Sequence, residues 1–331
     1  MVDSKKRKKK KLWPIAKNKK SAAKRQRAQR TQSMEETATK RLVVSVSAKA
    51  MAEQLTLTDF ECFGAVHSRE FLDKVWRGNV HSNCDIKKYP KLQAMIDRFN
   101  HIHRFVILCI VSCHELSHRV RTLAHFIRVS EYCLELRNYF CLMAVFSALD
   151  SIAVSKLKYL WLRLDDEHKT VRGKLAAVCD ANNNFKALRN LMRTAFIERE
   201  PAIPYIGLFL SDLTFVNDGA AKLVEGFINF KRFERFTERC KIVESFQQIS
   251  YSDKMKKTEL ALFMERDIAT FNAAVSDRAL KAMVASSVQN DEKNATNSER
   301  QTIRARTKRR HRARPKREQQ RKPQVFKRFK K

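Results

Sequence analysis

Glycine and proline are scarce, six of each in 331 residues. So few turn formers argue against a strand-rich fold, which needs many tight reversals. Long hydrophobic runs are missing too. A clean one such as Phe105 to Val111 is far short of the roughly 20 residues that span a bilayer. The Lys-rich start has no apolar segment behind it, so no signal peptide is expected. Residue 2 is Val and the chain ends Arg-Phe-Lys-Lys, so no lipidation motif is expected either. Eight cysteines (Cys62, Cys84, Cys109, Cys113, Cys133, Cys141, Cys179 and Cys240) are scattered through the chain. On apolar helical faces they read as reduced, buried thiols of a cytosolic or nuclear protein.

Acidic residues are few beside basic ones, and the formal net charge is +33. The imbalance sits at the ends. Residues 1–41 carry 16 Lys/Arg against 3 Asp/Glu, and residues 291–331 carry 17 against 4. The middle is mildly basic and long enough for a substantial core. Dense like charge with few apolar side chains cannot offset the entropy of ordering. The expected organisation is therefore a disordered arm over 1–45, a folded domain over 46–285 and a disordered tail over 286–331.

Within the domain the period is helical. Leu92, Met95, Ile96, Phe99, Ile102 and Val106 recur at spacings of three and four, behind a Pro90 placed well for a helix start. A second long helix is expected from about Ser117 to Tyr139. Shorter ones follow at about 140–149, 155–163, 166–179 and 183–198, then a hairpin over 204–249 and one last helix over 256–286. Thr58 and Glu61 have the spacing of a capping box, Ser68 reads as an N-cap, and 77–89 reads as a loop. Leu42 to Val46 and Ile203 to Phe209 have strand propensity. Without partners they are expected to be helix entries or extended leaders. No internal repeat is visible. The fold class is all-α.

One stretch carries more than periodicity. Residues 201–230 read PAIPYIGLFLSDLTFVNDGAAKLVEGFINF. Its landmarks are Pro201, Pro204, Tyr205, Gly207, Leu210 to Phe215, Asp218-Gly219 and Ile228-Asn229-Phe230. The pattern resembles the helical hairpin of the catalytic domain of Ras-type guanine nucleotide exchange factors, the RasGEF family. Further motifs stand in the family's order: Gln54-Leu55-Thr56-Leu57, Phe71-Leu72 through Trp76, Phe99-Asn100, Asn138-Tyr139-Phe140, Ala148 to Ser151, and Phe246-Gln247-Gln248 with Tyr251. The resemblance covers about residues 46–280.

The resemblance implies an all-α domain that expels GDP from a Ras-superfamily GTPase so that GTP can bind. Such a protein regulates an enzyme, breaks no bond itself and needs no cofactor or metal. The first hairpin helix enters the nucleotide site in this family. The resemblance puts Thr214 at the Mg²⁺ region and Asp218 at the α-phosphate region. It also assigns GTPase contacts to Tyr205, Ser211, Asp212, Phe215, Phe185, Asp150, Asn229 and Arg235. Phe185 and Tyr205 would grip a switch aromatic. Two positions depart from the family pattern: Asp218 stands where Glu is usual, and Asp150-Ser151-Ile152-Ala153 replaces Asn-Ser-x-Pro. A degenerate scaffold that binds a GTPase without exchange is thus an alternative. The regulatory helical domain that usually precedes this one is not expected in the short charged arm.

Other readings stay open beside it. Cys109-x-x-x-Cys113-His114, with His101 and His103 upstream, has a weak zinc-like look, although thiols buried on an apolar helix explain it better. Lys5 to Lys11 and Thr307 to Arg317 are polybasic. They suit nuclear import or nucleic acid, an anionic membrane surface with Phe326 and Phe329 inserting, or mere solubility. A basic nucleic-acid-binding protein is the alternative from another class. The expected location is the cytoplasm, with recruitment to the inner plasma membrane or nuclear import through the basic runs.

Overall fold

The computed structural model describes residues 46–76, 89–219, 221–251 and 255–320, with side chains at all of these except 73–76 and 309–320. The polybasic arm over 1–45 and the loop over 77–88 lie outside the described residues.

The fold is all-α, as the scarcity of turn formers implied. Helix α1 (Ala48–Gly64) starts at Ser47, whose hydroxyl accepts from the Ala50 amide at 3.2 Å. It runs unbroken through Thr58, so the expected capping box does not form. The Thr58 hydroxyl instead donates to the Gln54 carbonyl, and Glu61 pairs with Lys257 at 2.6 Å. Ser68 is the first residue of α2 (Ser68–Trp76). Pro90 opens α3 (Pro90–Ser112), and α4 (Leu116–Glu135) follows. Asn138 caps α5 (Tyr139–Leu149), its side-chain oxygen accepting from the Cys141 amide. Every residue of α5 but Ser147 is buried, as expected of a helix that is apolar all round. It lies against α3 and α4, with α1 on α4.

Short helices α6 (Ile152–Ser155) and α7 (Lys158–Arg163) lead to α8 (Asp166–Val178) and α9 (Lys186–Ile197). The hairpin is α10 (Ile206–Gly219) and α11 (Phe230–Gln247). Its tip corrects the all-helical expectation. Strands β1 (Leu223–Val224) and β2 (Phe227–Ile228) pair antiparallel there. Glu225 and Gly226 between them have φ of 52° and 84°, the left-handed pair that a two-residue β-turn demands.

The C-terminal part differs more. One helix was expected over 256–286. The chain forms α12 (Glu259–Ala274), breaks at Val275, and restarts at a Ser276 cap as α13 (Asp277–Asn294). Disorder from 286 is also overturned for the described residues. Ser287 and Asp291 are buried, and Asp291 meets the buried Arg119 at 2.6 Å. A capping box of Thr296 and Glu299, with both bonds made, opens α14 (Asn297–Gln320). Averaging charge over the whole tail hid these local signals.

A buried polar knot ties the body together. Asp59 is fully buried and faces Arg98, which also reaches Glu265 at 2.7 Å. The Asn138 amide donates to Asp59 at 2.7 Å and to Thr56 at 3.1 Å. One knot thus joins α1, α3, α12 and the start of α5. Burial works against the Arg98 charge, but the facing Asp59 and Glu265 carboxylates outweigh it and push the pKa up.

Candidate functional site

The hairpin's root is anchored. The Ile203 amide donates to the Arg137 carbonyl at 3.0 Å, and the Tyr139 amide donates to the Ile203 carbonyl at 2.9 Å. The strand propensity of this leader shows as that one bridge, before the chain turns helical at Ile206. Ala202 and Ile203 are wholly buried. Next to them the Tyr205 ring packs between Phe99 and Phe185, with centroids 5.7 and 6.2 Å away. Burial pushes the Tyr205 hydroxyl pKa up. Gly207 is required here, since a Cβ at that position would come within 2.6 Å of the Tyr205 ring. Phe185 holds a left-handed φ of 53° at the entry to α9. Tyr205 and Phe185 are thus brought into one aromatic cluster.

Along α10 two faces separate. Leu213 is buried, and Asp212 receives two bonds from Arg189 of α9, at 2.7 and 2.8 Å. Asn217 accepts from the buried Arg232 of α11, whose guanidinium also lies over the Phe236 ring at 5.5 Å. These two arginines brace α10, Arg189 from α9 and Arg232 from α11. The other face is open: Ser211, Thr214, Phe215 and Asp218 are all exposed, at helical spacings of three and four. Thr214 donates its hydroxyl to the Leu210 carbonyl, and Asp218 accepts from the Asn217 amide at 3.1 Å.

At the base of the tip the Asn229 side chain donates to the Ala221 carbonyl at 2.9 Å, closing the hairpin at the start of α11. Arg235 is exposed further along α11. Asp150 ends α5 and pairs with Arg172 at 2.9 Å, and that guanidinium sits over the Trp161 ring. Asp212, Asn229 and Asp150 therefore all have intramolecular partners.

Sequence reasoning missed Arg189, Asn217 and Arg232, because an ion pair or amide contact between helices leaves no local trace. It also missed an apolar tip. Phe227 and Phe230 are 77 % and 72 % exposed, and Leu223, Val224 and Ile228 are exposed beside them. The signal was present: Leu-Val, then Glu-Gly, then Phe-Ile is a hairpin pattern.

Of the zinc-like group, Cys109 is buried in the core and the Cys113 thiol donates to the Cys109 carbonyl. No cluster of three or more His, Cys, Asp or Glu able to hold a metal occurs among the described residues. No described helix is long and apolar enough to cross a membrane.

These features define an all-α domain whose helical hairpin packs on α2, is tied by two arginines and leaves one stripe of α10 exposed. The sequence profile of the RasGEF domain matches residues 50–234, and the chain belongs to that family. It is 32% identical over 211 residues to "Ras guanine nucleotide exchange factor J" of Dictyostelium discoideum, covering 63% of this chain and 25% of that protein. It is 30% identical over 230 residues to "Ras guanine nucleotide exchange factor M" of the same organism, covering 69% and 24%. To "Ras-specific guanine nucleotide-releasing factor 1" of Rattus norvegicus it is 29% identical over 206 residues, covering 62% and 16%. The chain spans a quarter or less of the length of these relatives.

Proposed function

We propose that this protein is a guanine nucleotide exchange factor for a Ras-superfamily GTPase, and that α10 is the element that displaces nucleotide. The observation that carries the reading is the bare stripe of Ser211, Thr214, Phe215 and Asp218 on a helix clamped along its other side.

A GTPase holds its nucleotide through a phosphate-binding loop and Mg²⁺. An exchange factor breaks no bond. It shifts the equilibrium only by binding the nucleotide-free state better than the loaded one. Weakening nucleotide affinity by about four powers of ten takes ~5.5 kcal/mol of such preference. A wedge that bends loses that preference, so a braced helix suits the work. In this reading the Asp218 carboxylate accepts the phosphate loop's amides and repels returning phosphate. Thr214, one turn earlier, crowds the metal's coordination shell. The exposed Phe215 and tip residues supply apolar contact area, and Phe185 with Tyr205 forms a receptor for a switch aromatic.

Release of a fluorescent guanine nucleotide from Ras-, Rap- and Ral-like GTPases, measured with the full chain, tests this. One GTPase should release rapidly, and Asp218→Ala should slow that release by about tenfold or more, equivalent to losing ~1.4 kcal/mol of preference. Release from none of them, with no stable nucleotide-free complex, would sink the proposal. A second reading, GTPase binding without exchange, is favoured by one observation: Asp150 is already paired with Arg172. The longer reach of Asp218→Glu separates the two, because only a degenerate member would gain exchange from it.

A further inference from the structure

Helix α14 is fastened to the body at its first turn and basic thereafter. Glu299 accepts from Arg163 of α7 at 2.8 and 3.3 Å. Arg163 and the Thr296 cap hold the Glu299 carboxyl well below its ordinary range, at about 2. The next basic residue, Arg300, is half-buried and donates to the Glu292 and Lys293 carbonyls that end α13. The start of α14 is therefore oriented by the body of the domain.

Between α7 and this oriented helix lies a cleft of about 940 Å³. Four cations converge on it from two elements: Lys158 from α7, and Arg300, Arg304 and Lys308 from α14. The last three are four residues apart and so share one helix face. Tyr159 and Ile303 form part of its wall, and Glu292 is its one carboxylate. Lys158, Arg304 and Lys308 are exposed and have no carboxylate partner among the described residues. Unpaired cations gathered in a concave site, with one arginine already fixed by backbone carbonyls, match a compact anion carrying several phosphates.

We propose that the α7–α14 cleft binds the polyphosphorylated head group of a phosphoinositide in a membrane surface. Two features select a surface-held head group. Half of the residues that line the cleft are solvent-exposed, among them three of its four cations, so an occupant is reached from the solvent side. The basic sequence also continues along α14, with ten Lys and Arg against two Glu over residues 297–320. That adds attraction to an anionic leaflet. α14 has no apolar stripe with which to insert; its apolar residues are few and scattered. Recognition therefore falls on the cleft. The proposal does not depend on exchange activity.

Co-sedimentation of the full chain with phosphatidylcholine vesicles tests it. One set carries a bisphosphorylated phosphoinositide, the other phosphatidylserine at matched total charge. Binding to the phosphoinositide set should be stronger by about tenfold or more. Lys158→Glu and Arg304→Glu should each remove most of that preference, and soluble inositol trisphosphate should compete. Both residues are exposed and unpaired, so a circular dichroism melt unchanged from the parent confirms intact folding. Equal binding to both vesicle sets would reduce the cleft to unspecific charge and overturn the proposal. So would unchanged preference in the variants. Tighter binding to duplex DNA at the same ionic strength, falling steeply with salt, would overturn it in favour of a nucleic-acid partner.

Discussion

Single residues show how environment, rather than identity, sets a role. His125 lies on α4. Its Nε2 is buried without a hydrogen-bond partner, the ring stands edge-on to Phe126, and burial pushes its pKa down to about 4. The folded state thus favours neutral imidazole, whereas the unfolded chain protonates near 6.5. Stability from this group is complete above about pH 6.5, is lost as pH falls from there to about 4, and changes no further below. The loss is at most about 1.4 kcal/mol per pH unit. Urea melts at pH 7 and pH 4.5 should show it, and His125→Gln should shrink the difference between the two. An unshrunk difference would locate the sensitivity elsewhere. The site residues divide in the same way. Thr214 and Asp218 are exposed and bonded only within their own helix, while Asp212, two positions before Thr214, is held by Arg189 of α9. The resemblance had put Thr214 and Asp218 in the nucleotide site and Asp212 among the GTPase contacts, without showing which of them the fold itself engages.

At the scale of elements, the hairpin depends on its struts. Arg189 and Asp212 are about a quarter exposed, and their contact is bidentate, which places it above an ordinary surface pair. A double-mutant cycle of Arg189→Ala and Asp212→Ala should give about 1 kcal/mol of coupling. Amide exchange in α10 should quicken in either variant while that of α5 stays unchanged. Protection lost equally in both helices would mean that the hairpin is not separately braced. The helices themselves were largely legible. Residues 90–112 and 139–149 follow from period and caps because those signals are local. The break at Val275 and the β-ribbon tip were less so, the first because the apolar period continues across Ser276. The expected capping box at Thr58 failed because Ser47 had already started that helix.

For the whole molecule, the decisive finding is where the folded body ends. A boundary at 285 cuts α13 before Asp291, which neutralises Arg119 in the interior; Arg119 is only 1% exposed. Asp291→Ala should cost about 3 kcal/mol or more in chemical denaturation, because it leaves a buried guanidinium without its counter-charge. Truncation after residue 285 should cost at least as much. A cost under about 1 kcal/mol for Asp291→Ala would mean that α13 contributes little to the body. The same boundary decides whether α14 and its cleft exist at all, since both hang from α13 and Arg163.

The sequence by itself determined the helical class and the family. Helical period, caps and an ordered set of short motifs are properties of neighbours along the chain, and they survive without a partner in space. Only the tertiary structure decided that Asp212 and Asn217 face arginines, that Asp59, Arg98, Glu265 and Asn138 form one buried knot, and that the basic C-terminal run begins as an anchored helix. Each of those facts is a contact between residues far apart in sequence. Its energy comes from desolvation and pairing, which composition and spacing do not encode.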